Sequence, residues 1–453
     1  MFRRKWVGLP ADPHFPVDLK ELGYFINEID EIRAIDNPDN YFKFFLNRNP
    51  RWNERQRYAM NQALQHVIWE RLKKLGLKKE LLPTGTTDTT KPHVPIYVSR
   101  DLISKSRVVV IFGESSQDLG ILAHRVVGGP GGVNKGSMVS IVSGLQQQSC
   151  SLTDMSSPGI ILANMGELLW WPEGNRTLSR TAFDAMPMRS AVENGNLISG
   201  ENEIPGNKDP KEHIHYIFNT VIPHLVTENA RIDIIGVGDG ADLVEQYLDK
   251  LTLNDEWKKR INCLALVGGM QAVWELQNEW FVEKFLRNKA RAYATSLEPA
   301  GMVISGPDGN PKTTTFTQQG CPVFSSGENN YAEMTLVSAG DIVLDWLQEV
   351  ALTPEGEEYE NPKYHVDFSD PVFEDDPGWG QWQDDKQDGE KVEADSRDAK
   401  VQAKNGLEKP DDVKSKDKAK AGGEEPQLVL VERPNGDQGK SDDTNGEENK
   451  DEN

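Results

Sequence analysis

"RIDIIGVGDGADLVEQYL", Arg231–Leu248, is the stretch on which the reading of this chain turns. Ile232 to Val237 form a short apolar run with no helical period, as expected of a strand buried on both faces. Gly236, Gly238 and Gly240 then alternate with Val237 and Asp239, and an amphipathic stretch follows from Ala241. A buried strand that turns sharply through glycines into a helix is one unit of a parallel α/β sheet.

The neighbouring sequence repeats this grammar. "RVVVIFGE" (107–114), "PGIILANMG" (158–166), "INCLALVGG" (261–269), "ARAYATSL" (290–297) and "CPVFSSGE" (321–328) are near-continuous apolar strands. Between several of them lie helices. "DPKEHIHYIFNTVIPHLVTENA" opens with Asp209 as N-cap and Pro210 in the first turn, and "SAGDIVLDWLQEVAL" follows the last strand. The fold class is therefore α/β, with a mostly parallel sheet and helices on both faces. Upstream, Tyr24, Phe25, Ile26, Ile29 and Ile32 mark two short strands in a hairpin. Ala63, Val67, Ile68, Leu72 and Leu75 recur at helical spacing up to a stop at Gly76.

The glycine turn also has a chemical reading. A nucleophile elbow has the form G-x-Nu-x-G, because the nucleophile sits in a strained turn where bulky neighbours clash with strand and helix. Gly236, Gly238 and Gly240 fill the first, third and fifth positions, so the nucleophile's place is taken by Gly238, which has no side chain to attack a carbonyl. Asp239 is the nearest carboxylate substitute, at the cost of a one-residue shift that puts Val237 where a small residue is wanted. The expected triad order places a histidine after the last strand. After His224 the next histidine is His365, and "CPVFSSGENNYAEMTLVSAGD" holds none. Glu114, Ser115, Asp118, Asp239 and Glu328 gather at the same sheet end, where they read as a ligand-binding set or as solvated loop residues.

Two further motifs come to structural readings. "GGPGGVNKGS" (128–137) resembles a phosphate loop, but Gly136 separates Lys135 from Ser137, so backbone, ammonium and hydroxyl do not converge, and a structural loop is expected. His213 and His215 lie two apart on a helix and diverge by about 200°, so one is expected to face the sheet and one the solvent. Cys150, Cys263 and Cys321 are too widely spaced for a zinc site or a disulfide framework. No metal or cofactor is implied.

Of 453 residues, the segment from Pro354 onward carries 30 acidic and 14 basic side chains, and so most of the net charge of −22. The division expected is an N-terminal arm over 1–18, one domain over 19–353 and an acidic tail over 354–453. From Gly356 the tail lacks the apolar residues that offset ordering entropy, so it is expected to be disordered. "QLVLVERP" (427–434) is its one apolar run. No 18-residue apolar stretch and no secretory signal is present, so an intracellular chain without membrane association is expected. Direct DNA or RNA binding is also not expected, because so acidic a chain without a basic stripe repels phosphate.

Taken together, "RVVVIFGESSQDLGILAHRVV", "GSMVSIV", "IILANMGELLWWPEGNRTLS", "EIPGNKDPKEHIHYIF" and "IDIIGVGDGADLVEQYL" resemble the argonaute-binding domain of the Arb type over roughly Leu19 to Leu352. That domain occurs in a subunit of the fungal argonaute siRNA chaperone complex, in some fungal histone deacetylases and in a metazoan co-transcriptional regulator. The resemblance implies an α/β-hydrolase-like fold, an argonaute-type partner with other silencing-complex subunits, and a role in siRNA-directed heterochromatin formation and gene silencing, in nucleus and cytoplasm. Metazoan members carry serine where Gly238 stands, so a non-catalytic interaction protein is expected here. The alternatives are a residual esterase acting through Asp239 and a histone deacetylase accessory module acting in trans. Candidate contacts for a partner are Trp170 and Trp171, and Trp379 and Trp382 in "GWGQWQ", which resembles the tryptophan hooks that dock into argonaute pockets.

Overall fold

A computed structural model describes residues 9–188, 192 and 197–364. Its centre is a nine-stranded sheet. In chain order the strands are β1 (Leu77–Leu82), β2 (Val94–Ser99), β3 (Arg107–Phe112), β4 (Gly159–Ala163), β5 (Arg231–Val237), β6 (Ile261–Val267), β7 (Ala290–Ala294), β8 (Val303–Ser305) and β9 (Val323–Ser325). Their spatial order is β1-β2-β4-β3-β5-β6-β7-β9-β8. The run from β4 through β3, β5, β6 and β7 to β9 is parallel; β2 is antiparallel to β4, and β1 and β8 close the edges antiparallel. Exchange of the third and fourth strands beside an antiparallel second strand is the arrangement of an α/β-hydrolase-like sheet.

Period-two alternation along each strand feeds two cores at once. Val108, Val110, Phe112, Ile232 and Ile234 face one cluster, together with Phe218, Val244 and Phe281 from the covering helices. Val109, Ile111, Ile235, Val237 and Ala265 face the other, together with Ile68, Val142 and Val343. The helices that matter for the site are α1 (Pro50–Lys74), α2 (Met138–Leu145), α3 (Pro210–Tyr216), α4 (Asp239–Leu251) and α5 (Thr335–Ala351). Helices cover both faces, as the strand pattern requires.

One buried ion pair ties the sheet's starting end together. Arg107 of β3 and Asp233 of β5 meet diagonally across the two strands, with Nε to Oδ2 at 2.6 Å and both side chains buried. The guanidinium also donates to the Ser149 and Leu347 carbonyls, and Asp233 accepts from Asn262. Every strong polar group is thereby matched, which is what permits a charge pair in this position.

Several sequence expectations meet their structural counterparts here. Tyr24–Ile26 and Ile32–Ala34 pair as the expected hairpin. The glycine-rich run is a structural loop docked on that hairpin: Val133 N–H donates to the Asp30 carbonyl and Asn134 N–H to its carboxylate. A Cβ at Gly132 would fall 2.3 Å from the Asp30 carbonyl oxygen, so close backbone approach explains that glycine. His213 is fully buried and His215 exposed. Burial pushes the His213 pKa down to about 3, so the ring is neutral, donating through Nδ1 to Asn207 and accepting the Asn164 N–H at Nε2.

Both segments that flank the expected domain make contacts with it. At the start, the Asp12 side chain is buried in an ion pair with Arg51 at 2.7 Å and Phe15 packs edge-on against Trp52. At the other end the body runs past Thr353. Asn361 donates to the Arg287 and Ala290 carbonyls, and Tyr359 Oη accepts from Arg291 and Trp346. Net acidity hid a few well-placed hydrogen-bonding side chains. His365, "QLVLVERP" and the rest of the acidic tail lie outside the described residues.

Candidate functional site

The β5–α4 turn has the backbone of a nucleophile elbow. Gly238 stands at φ +56°, ψ −132°, a conformation that a side chain strains, and its N–H donates to the Val267 carbonyl of β6 at 2.8 Å. The flanking glycines are set by contact. A Cβ at Gly236 would lie 2.5 Å from Ala241 Cα, and one at Gly240 would lie 2.2 Å from the Gly113 carbonyl oxygen. All three glycines therefore serve the crossing of strand, helix and the loop after β3.

The space that an elbow nucleophile would take is occupied. A Cβ built on Gly238 would fall 2.4 Å from Glu114 Oε1 and 2.5 Å from Glu114 Cγ. Glu114 follows β3, in the loop that supplies oxyanion-hole donors in catalytic versions of this turn. Its carboxylate instead lies over the bare glycine, steadied by Gln117 Nε2 at 3.4 Å. Burial first, then the neighbouring Asp239 and Glu333, raises its pKa.

Asp239 is likewise committed. Its Oδ1 accepts the Ser115 N–H at 2.9 Å, and its Oδ2 accepts the Ser115 hydroxyl. The carboxylate that might have replaced the serine is thus held by the loop whose donors would have met a developing oxyanion. The loop after β9, where a triad histidine would stand, offers carboxylates and a phenol. Glu328 Oε1 accepts the backbone N–H groups of Asn330 and Tyr331, and Glu333 pairs with Arg125 at 3.1 Å, whose guanidinium lies 3.6 Å over the Tyr331 ring. Among the described residues the acid–imidazole pair is His124 with Asp118, at 3.5 Å. Asn61 of α1 reaches the same Asp118 oxygen, so this pair belongs to the α1 side of the sheet end.

The expected site residues therefore separate. Glu114, Ser115 and Asp239 come together with Gly238, whereas the Glu328 side chain organises its own loop and Asp118, largely buried, faces α1. The two tryptophans also part. Trp170 is a core residue, 2% exposed and packed against His93 at 4.9 Å, and so offers no surface to a partner. Trp171 stays half-buried, its ring pressed on Gly174 with Arg176 5.5 Å away. Trp379 and Trp382 lie outside the described residues. Sequence reasoning missed Arg125 and Glu333, although a glutamate in the loop expected to carry the histidine was a readable signal. No three described His, Cys, Asp or Glu side chains converge as metal ligands.

Known proteins are similar to this chain. The Cotranscriptional regulator ARB2A homolog of Xenopus tropicalis is 21% identical over 344 residues, covering 70% of this chain and 76% of the relative. Cotranscriptional regulator ARB2A of Homo sapiens is 21% identical over 311 residues, covering 63% and 71%. Among solved structures, carboxyl esterase 2 from Tuber melanosporum aligns with 61% of this chain and 86% of its own, at a TM-score of 0.30 and 11% identity. The Arb2 domain model matches residues 15–300, from the N-terminal segment past β7 with the whole elbow inside it, and the chain belongs to the Arb2 domain family.

Proposed function

We propose that this chain is a non-catalytic regulatory subunit that uses a hydrolase-like body to bind an argonaute-type protein, acting in siRNA-directed heterochromatin formation and gene silencing. The observation that carries the reading is the elbow, where Glu114 fills the place of the nucleophile's side chain at Gly238. A scaffold that keeps the elbow's backbone without its reactive atoms presents loops at the sheet end for recognition. Relatives named as cotranscriptional regulators support a regulatory role and a nuclear place of action. The argonaute partner, the other silencing-complex subunits and the share of protein in the cytoplasm follow from the family resemblance and belong to the proposal.

The esterase alternative is weaker, because Asp239 is held through both oxygens by Ser115. Direct nucleic-acid contact is opposed by the net charge of −22, and RNA is reached through the partner. Affinity purification of the full chain under mild salt, followed by mass spectrometry, tests the reading. Recovery of an argonaute protein is expected, and its clean absence removes the partner assignment. Repeating the purification on a chain ending at Tyr364 separates a contribution of Trp379 and Trp382 from that of the body.

A further inference from the structure

A cavity of about 720 Å³ opens on the α1 side of the sheet edge, away from Gly238. Its wall includes Gln62, Gln65 and Trp69 of α1, Lys79 of β1, Tyr97 of β2 and, beyond them, Glu167 and Arg176. The volume is that of a small-molecule site. Trp69 and Tyr97 stack with centroids 4.7 Å apart and planes 24° from parallel. Lys79 is the direct cross-strand partner of Tyr97, and its ammonium lies 4.8 Å from the Trp69 centroid. It stands exposed on the sheet's edge strand, on the strand face shared with buried Leu77, so its ammonium lies at the cavity mouth.

Two features of this cavity want a ligand. Neither Lys79 nor Arg176 forms an ion pair among the described residues; one cation rests beside Trp69 and the other beside Trp171. Glu167 is 5% exposed, and its Oε2 accepts from the Leu119 N–H at 3.0 Å, Gln65 at 2.8 Å and Asn164 at 3.4 Å. Its Oε1 accepts no hydrogen bond among the described residues and keeps some contact with solvent, so it is open to a ligand. Desolvation, then the nearby Asp118, raises the Glu167 pKa to about 7, so near neutrality the group is partly protonated.

We propose that this cavity binds a small organic anion with a planar ring. The ring lies beside the Trp69–Tyr97 stack, its phosphate or carboxylate meets Lys79 and Arg176, and a polar edge meets Glu167 Oε1 and Gln62. Aromatic walls with two cations outside any ion pair among the described residues favour a flat anion over a neutral or cationic ligand. The acidity of the whole chain works against a polyanion, which limits the ligand to a small one.

Isothermal titration calorimetry on the full chain tests this with four probes. AMP supplies ring and phosphate, indole-3-acetate ring and carboxylate, adenosine the ring alone and inorganic phosphate the anion alone. AMP or indole-3-acetate is expected to bind, and which of them binds identifies the anion. Adenosine and inorganic phosphate should each be weaker by at least about tenfold, and Lys79→Gln and Arg176→Gln should each weaken the ringed anion by a similar factor. Lys79→Gln changes a side chain at the cavity mouth, and an unchanged melting temperature certifies its fold. No binding of either ringed anion at about 5 mM overturns the proposal. So does binding that survives both substitutions, or inorganic phosphate binding as tightly as AMP.

Discussion

Gly238 adopts a backbone that strains any side chain, and the space its side chain would need is held by Glu114. Gly238→Ser is therefore expected to restore no esterase and to destabilise the chain by about 2–5 kcal/mol, part from backbone strain and part from the clash. Adding Glu114→Ala should relieve the clash and leave the strain, so urea unfolding of the single and double variants separates the two. Equal stability of Gly238→Ser and the parent would show that Glu114 does not hold that space. Glu167 makes a second prediction at this scale. Its charged and titratable surroundings are Asp118, His66, Lys79, His93, Tyr97 and Arg176. Burial first, then Asp118, raises its pKa from an ordinary 4.5 to about 7. Because the folded state holds this proton more tightly, the stability linked to it is complete below the unfolded value of 4.5 and is lost as pH rises through 7. Glu167→Gln has no such loss, so its stability relative to the parent should improve by roughly 3 kcal/mol between pH 4 and pH 8. Unfolding curves at the two pH values check this, and a constant difference would contradict it.

Strands and helices carry their own tests. Removing Arg107 leaves the buried Asp233 charge without its cation and with only neutral Asn262 and Cys263 beside it among the described residues, so Arg107→Met should cost about 3–5 kcal/mol, whereas replacing both charges with apolar residues should cost less. The segment after α5 gives a second element-scale test. A chain ended at Tyr364 should melt like the full chain, and one ended at Thr353 should lose about 1–3 kcal/mol with the Asn361 and Tyr359 contacts. Equal melting of the two truncations would place those contacts outside the stabilising set. The same elements show why some of the fold was legible in sequence and some was not. β3 through β7 and β9 are near-continuous apolar runs because helices cover both of their faces, and burial on two sides writes itself into composition. β1, "LKKELL", carries charges on an edge strand, and β2 contains Pro95, beyond its short pairing with β4 at Tyr97 and Val98, so neither looks like a buried strand. β8 is three residues long, too short for any period to register.

For the whole molecule, the elbow was readable and the cavity was not. Gly236, Gly238 and Gly240 lie in five consecutive residues, so local spacing exposed the missing nucleophile. Glu167, Lys79 and Trp69 come from three separate segments and meet only once β1, α1 and the loop after β4 pack, which no local pattern records. Glu114 over Gly238 and Ser115 on Asp239 come from the loop after β3, brought to β5 by the exchange of strand order, and they support a body that binds without cleaving. Incubation of the purified full chain with p-nitrophenyl acetate, followed by intact-mass spectrometry beside Asp239→Asn, tests that claim most directly. The account predicts an unmodified mass and no enzymatic turnover in either protein. A covalent acyl adduct, or saturable hydrolysis abolished by the substitution, would contradict it.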